Sequence, residues 1–226
     1  MPSSLNGKHY RQNENQIYLD AGTLSEKQIQ RIRWIHNLLA LTQNRAGNYS
    51  CYGLHEWAMV YSGADIRHRE SAPLRFSQEE TDRIVESFPI TCSHFDAYRF
   101  FSPKALAFNK QNPTLEAREQ HEQPACLHAN MDLYKWASKC MPWVGSELLW
   151  KTFLLALELR ELDMRASPYD LSSYGYKPVK IETPEGRSEY ETLQRSLAKK
   201  AKTLRQELIQ SLGKLLTMRK TTSPST

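Results

Sequence analysis

The sequence predicts a mainly α, single-domain helical bundle with room for one or two short strands. Apolar residues recur at helical spacing over long stretches, most clearly from Tyr190 to Leu215. Only 9 Gly and 11 Pro are spread over 226 residues, too few turn-formers for a sandwich or barrel of many short strands. Hydrophobic residues at 40% and charged residues at 24% fit a globular chain long enough for one well-buried core.

Residues 1–22 are polar and are expected to be a flexible N-terminus. The helical domain is expected over 23–218. Thr23 and Glu26 have capping-box spacing and open its first helix. Ile32, Ile35, Leu38 and Leu39 form that helix's apolar stripe, and it ends near Asn44 to Gly47. Residues 51–62 are apolar almost all round and read as a buried helix or strand. As a helix, they point His55 and Glu56 about 100° apart. A loop over 63–76, with Gly63 and Pro73, leads to Ser77 and Glu80, which open a short helix to about Ser87.

Pro89–Ser93 reads as a short strand and His94–Phe101 as one or two helical turns. Residues 102–116 hold Pro103, Asn109, Asn112 and Pro113 and form the longest loop. Cys126–Cys140 is a helix, and Ser146 is the expected cap of the next, which runs to about Arg165. An aromatic loop follows from Pro168 to Pro178. Thr183 caps the last helix, with Pro184 at its first position. Tyr190, Leu193, Leu197, Ala201, Leu204, Leu208, Leu212 and Leu215 repeat every 11 residues, so one narrow face packs along a nearly straight rod. The Ser/Thr/Pro-rich residues 219–226 are expected to be a disordered tail.

Composition narrows the function classes. No apolar run of about 18 residues exists and the first residues lack an apolar leader, so the expectation is a cytoplasmic protein without a membrane partner. The 4 Cys are widely spaced and suit a reducing compartment. Residues 177–226 carry 11 Lys/Arg against 5 Asp/Glu, so the basic excess belongs to the last helix and tail. Gly-rich phosphate loops, G-x-S-x-G elbows and the P-C-x-x-C zinc pair are absent.

Ionisable residues in the middle of the chain carry the candidate chemistry. His128, Asp132, Lys135 and Lys139 step by 4, 3 and 4 along one helix face. A His and an Asp one turn apart can bind one metal or share one proton, while a solvated polar stripe explains them equally. His55-Glu56 lies in apolar surroundings, so the carboxyl needs a partner: it is a general base or metal ligand, or half of a buried ion pair. The zinc-protease pattern H-E-x-x-H fails at Met59. His94 and Asp96 add a third group. Glu158, Arg160, Glu161, Asp163 and Arg165 read as a salt-bridge network at a helix end, with Asp163 leading into the aromatic loop. Cys92 reads as a buried structural thiol. Trp57, Tyr61, Tyr134, Trp136 and Tyr169 are either core or faces on which a flipped base stacks.

The strings YGLHEWAMVY (52–61), CSHFDAYRFF (92–101), EQPACLHANMDLYKWA (122–137), RELDMRASPYDL (160–171) and PVKIETPEGRSEY (178–190) resemble a bacterial family labelled 3-methyladenine DNA glycosylase. The likeness runs over roughly 30–215. It lacks the glycine hairpin and catalytic Asp of helix-hairpin-helix glycosylases, their iron–sulfur cysteines, and the Cys/His zinc pattern of another alkyladenine glycosylase family. The N-terminal region is also shorter than in similar proteins. The resemblance implies a DNA-repair glycosylase that removes alkylated purines such as 3-methyladenine, with DNA as partner and no cofactor. It implies Asp132, Glu56 and Asp163 as catalytic carboxylates. His55, Trp57, His94, Arg99, His128, Tyr134, Lys135 and Trp136 would contact the substrate, with the aromatic rings holding the base and Arg99, Lys135 and Lys139 meeting phosphates.

Two other classes stay open. One is a metal-dependent oxidase or hydrolase, with a divalent transition metal on His55, His94 and His128 and on one or more of Glu56, Asp96 and Asp132. The other is a non-catalytic nucleic-acid or protein-binding module working through the basic C-terminal helix.

Overall fold

The computed structural model describes residues 7–63 and 72–222. A hairpin of β1 (Tyr10–Gln12) and β2 (Ile17–Leu19) opens it, in antiparallel register with Tyr10 opposite Leu19. Residues 10–12 and 17–19 are therefore paired within the segment expected to be polar and flexible, and residues 1–6 lie outside the described residues. Then follow α1 (Glu26–Asn44), α2 (Leu54–Val60), α3 (Gln78–Ser87), α4 (Phe95–Tyr98), α5 (Arg118–His121), α6 (Leu127–Lys139), α7 (Ser146–Ala166) and α8 (Pro184–Thr222). The mainly α, single-domain fold is as the periodicity predicts. No helix among the described residues is long and apolar enough to cross a membrane.

Side-chain caps place three of the eight α-helix starts among the described residues. Ser25, not Thr23, caps α1: its side chain accepts from the Gln28 N–H, and Gln28 Oε1 accepts from the Ser25 N–H. Thr23 instead donates its hydroxyl to the Asp20 carbonyl within a tight 3-10 turn. Ser77 accepts from the Glu80 N–H and Thr183 from the Gly186 N–H, as their spacing predicts. Ser146 is the first residue of α7 rather than its cap, because Gly145 takes the φ of 77° that turns the chain into the helix. Pro89–Ser93 contributes a single bridge, Ile90 to Asn109, and the 102–116 loop holds one 3-10 turn at Leu106–Phe108. Of the expected 63–76 loop, residues 64–71 lie outside the described residues.

The core forms where α6 packs along α7 and α8 crosses α1, α7 and α6. Ile35, Leu38, Leu133, Leu159, Leu208 and Leu212 are fully buried there. The 11-residue stripe of α8 is the face that packs, and α8 runs to Thr222, beyond the expected limit of 218. Residues 223–226 lie outside the described residues. One of α8's basic residues is not on its surface. Arg205 is fully buried and donates to Gln43 Oε1 and Asn130 Oδ1. Burial pushes its pKa down to about 10.

Candidate functional site

The site is assembled by one close approach. Gly53 enters α2 with φ 75°, in the left-handed region, where a side chain is strained. A Cβ on Gly53 would also stand 3.2 Å from the Ala166 Cβ. Gly53 thus sets the start of α2 against the end of α7. Trp57 secures the contact by donating its indole N–H to the Ala166 carbonyl at 2.9 Å. The consequence is chemical: His55 Nε2 reaches Asp163 Oδ1 at 2.9 Å across 108 positions of sequence.

Four donors converge there. His55, Glu56, His128 and Asp163 each offer one atom, and all these atoms lie within 4.8 Å of one another. His55 and His128 meet edge to face, with ring centroids 4.7 Å apart. Arg160 donates to the other oxygen of Asp163 at 2.9 Å and stands 3.7 Å from Glu56. The Cys51 Sγ lies 3.6 Å from His55 Nδ1. Among the described residues the His128 ring nitrogens have no hydrogen-bond partner, although the ring packs between His55 and His94.

Environment drives these four groups apart. Burial opposes charge on His55, but the bonded Asp163 carboxylate outweighs it and holds the imidazole well above 6.5. Burial likewise opposes charge on Asp163, and the facing His55 and Arg160 pull it well below the usual carboxylate range. Glu56 is lifted from 4.5 to about 7, by burial first and the Asp163 charge second. His128 is pushed down to about 3, mainly by burial. An ionised carboxylate, a carboxyl near neutrality and a neutral imidazole therefore share one corner.

That corner is the floor of a cavity of about 470 Å³. Glu56, His128 and Arg160 line it with Asp96, and Phe100, Tyr169, Tyr174, Tyr176, Met59 and Met164 form its walls. The aromatic loop after α7 is held in place by the segment before α3: the Arg75 N–H donates to the Pro168 carbonyl and the Asp170 N–H to the Pro73 carbonyl. Arg75 also makes a two-pronged pair with Glu182 at 2.8 and 3.0 Å.

A second cluster lies on the other side of His128, whose ring centroid is 5.5 Å from that of His94. His94, Glu122 and Asp132 bring their donors within 4.8 Å of one another, but an arginine occupies the space between them. Arg118, almost fully buried, donates to Glu122 at 2.6 Å, Asp132 at 2.7 Å and Asp96 at 3.2 Å. Lys135 also pairs with Asp132 and Asp96. Burial works against the Asp132 carboxylate, but the His94 hydrogen bond and the Lys135 charge draw its pKa well below 3.8. Arg118 and Lys135 lie over the face of Trp136.

The residues expected from sequence thus separate. His55, Glu56, His128 and Asp163 meet, with Glu56 and His128 lining the pocket floor and His55 and Asp163 buried behind it. Asp132, His94 and Lys135 belong to the arginine-filled cluster, where His94, Arg118 and Lys135 all engage the same Asp132 oxygen, Oδ2. Trp57 is fully buried and Trp136 nearly so, which leaves neither a face for a base to stack on. Tyr134 is exposed but packs on Phe153 of α7, outside the cavity lining. Arg99 pairs with Asp96 and covers the Phe100 ring. Sequence reasoning missed Arg118 and Glu122, whose i,i+4 spacing was the available sign, and Phe100; it noted Tyr174 and Tyr176 as part of the aromatic loop without naming them as site residues. The chain matches no protein-family model, no curated protein and no solved structure.

Proposed function

We propose that the pocket is the active site of a hydrolase that cleaves the N-glycosidic bond of an alkylated purine carried by DNA. The observation that carries this reading is the pairing of an aromatic-walled cavity with a carboxyl and an imidazole at its floor. A cavity of about 470 Å³ falls within the roughly 300–1,000 Å³ of small-molecule sites. Phe100, Tyr169, Tyr174 and Tyr176 offer rings for stacking, and Glu56, Asp96 and Arg160 offer hydrogen bonds to a base edge.

The chemistry asks little of the protein. An N-alkylated purine in DNA is already cationic, so the C1′–N bond breaks with its electrons passing to the base, which departs neutral. Water attacks C1′, and Glu56 accepts the proton that water gives up. The Asp163 charge, fixed by His55 and Arg160, stabilises the cationic sugar from beneath. Asp163 is a positioning and electrostatic group here, because it is fully buried and does not line the cavity.

The test is to incubate the protein with methylated duplex DNA and to follow free base by chromatography. Release of a methylated purine is expected, slowed by ~10²–10⁴-fold in Glu56→Gln. No release from folded wild type, beside an active control enzyme and across added Zn²⁺, Mn²⁺ and Fe²⁺, would sink the reading.

A further inference from the structure

We propose that His55, His128 and Asp163 hold a divalent first-row transition ion at the floor of the pocket, with Glu56 beside the ion's open positions. The ion's role in hydrolysis, supplying the water nucleophile in place of stabilisation of the sugar by the Asp163 charge, rests on the glycosidic reading above, but its binding does not.

Geometry argues for the site. Donors on neighbouring positions of an ion with bonds of about 2.1 Å stand about 3 to 3.4 Å apart. His55 Nε2 lies 2.9 Å from Asp163 Oδ1 and 3.9 Å from Glu56 Oε1, and the four-donor set closes within 4.8 Å. The donors come from α2, α6 and α7; α6 packs along α7, and α2 is tied to α7 by the Trp57–Ala166 and His55–Asp163 hydrogen bonds, so small rotamer changes bring the donors to bonding distance. His128 presents an imidazole with no hydrogen-bond partner among the described residues, held against two other rings. His128 is half-buried and lines the cavity, so its imidazole is open to a ligand entering there.

The outer contacts also fit. His55 directs Nε2 into the cluster while Nδ1 meets the Cys51 Sγ, and Arg160 takes the second oxygen of Asp163. Such contacts orient ligands from behind. Two imidazoles and a carboxylate select Zn²⁺, Fe²⁺ or Mn²⁺ over Mg²⁺ or Ca²⁺, which prefer oxygen donors only. Three protein ligands leave room for water, and a bound ion of this class makes water a nucleophile near neutral pH.

The neighbouring cluster explains why the ion takes one site and not the other. There the Arg118 side chain is only 5% exposed and already supplies a fixed cation to Glu122 and Asp132. Here the nearest guanidinium, Arg160, is 50% exposed at the rim and can withdraw into water as an ion arrives.

The experiment uses the full chain, stripped by chelator and dialysed. Zn²⁺ is titrated calorimetrically, and Co²⁺ is followed by its visible absorption bands. The expected result is one equivalent bound by wild type, with affinity reduced at least ~100-fold in His128→Ala. Asp132→Asn should bind like wild type. His128 lacks a hydrogen bond to lose, so its variant is expected to fold, and circular dichroism checks this. Absence of stoichiometric binding by folded wild type overturns the inference. So does undiminished binding by folded His128→Ala, or a loss of binding in folded Asp132→Asn alone. Base release that persists in chelator, with no Co²⁺ binding, overturns the site and leaves the glycosylase reading standing. Co²⁺ binding that depends on His128, with no base release under any metal, supports the site and removes that reading.

Discussion

Two clusters of the same residue types sit on either side of His128, and they differ in what neutralises them. In the Arg118 cluster a buried guanidinium satisfies three carboxylates at 2.6 to 3.2 Å. In the pocket cluster His55 and Arg160 share Asp163, Glu56 is left close to neutrality, and His128 has no hydrogen-bond partner among the described residues. Similar inventories of His and carboxylate therefore yield one part built for stability and one with unspent chemistry. The deciding feature is the position of an arginine, within the cluster in one case and at its rim in the other.

The largest expected effect breaks the first cluster. Arg118→Met leaves Glu122 buried without its cation and Asp132 with Lys135 alone, and it should cost about 3–5 kcal/mol. Denaturant unfolding measures this, and an unchanged midpoint would mean that the cluster holds nothing together. Glu56→Gln makes the opposite case. It should slow base release by ~10²–10⁴-fold while leaving the unfolding midpoint near or above that of wild type, because the buried acid loses a charged form that is costly to bury. Equal losses of stability in both variants would erase the distinction between the clusters.

Gly53→Ala tests how the pocket cluster is assembled. The left-handed backbone and the 3.2 Å approach to Ala166 should cost about 1–2 kcal/mol. Loosening the contact between α2 and α7 should also lower base release more than the stability loss alone explains, as kinetics at a temperature well below unfolding will show.

The smallest effect is a matter of pH. The Asp132 pKa is depressed in the folded state, so its contribution to stability is present above its ordinary value of 3.8 and is lost as pH falls through the depressed one. The stability gap between wild type and Asp132→Asn should therefore be widest near pH 7 and narrow towards pH 3, as urea midpoints will report. A gap that stays constant with pH would mean that Asp132 acts through packing rather than charge.

Much of this could be read from the residues alone. The α8 stripe, the Thr183-Pro184 start and the Ser77 cap follow from local spacing, and each forms as expected. The Thr23 cap failed because Ser25-x-x-Gln28 offers the same chemistry two residues later, with both reciprocal bonds made. For the site, sequence singled out His55, Glu56, His128 and Asp163 as unusual. It also ranked Asp132 beside them and left Trp57 and Trp136 open between core and base-stacking rings. A polar residue in an apolar run announces that it needs a partner, but not which one.

What the sequence determined by itself is the set of local periodicities, and hence a helical bundle with ionisable groups on α2, α6 and α7. Those depend on neighbours within one or two turns. The tertiary structure alone decided that Asp163 meets His55 across 108 positions and that Arg118 enters one cluster while Arg160 stays at the edge of the other. Charges interact through space with a strength set by distance and burial, and neither quantity exists until the helices are packed.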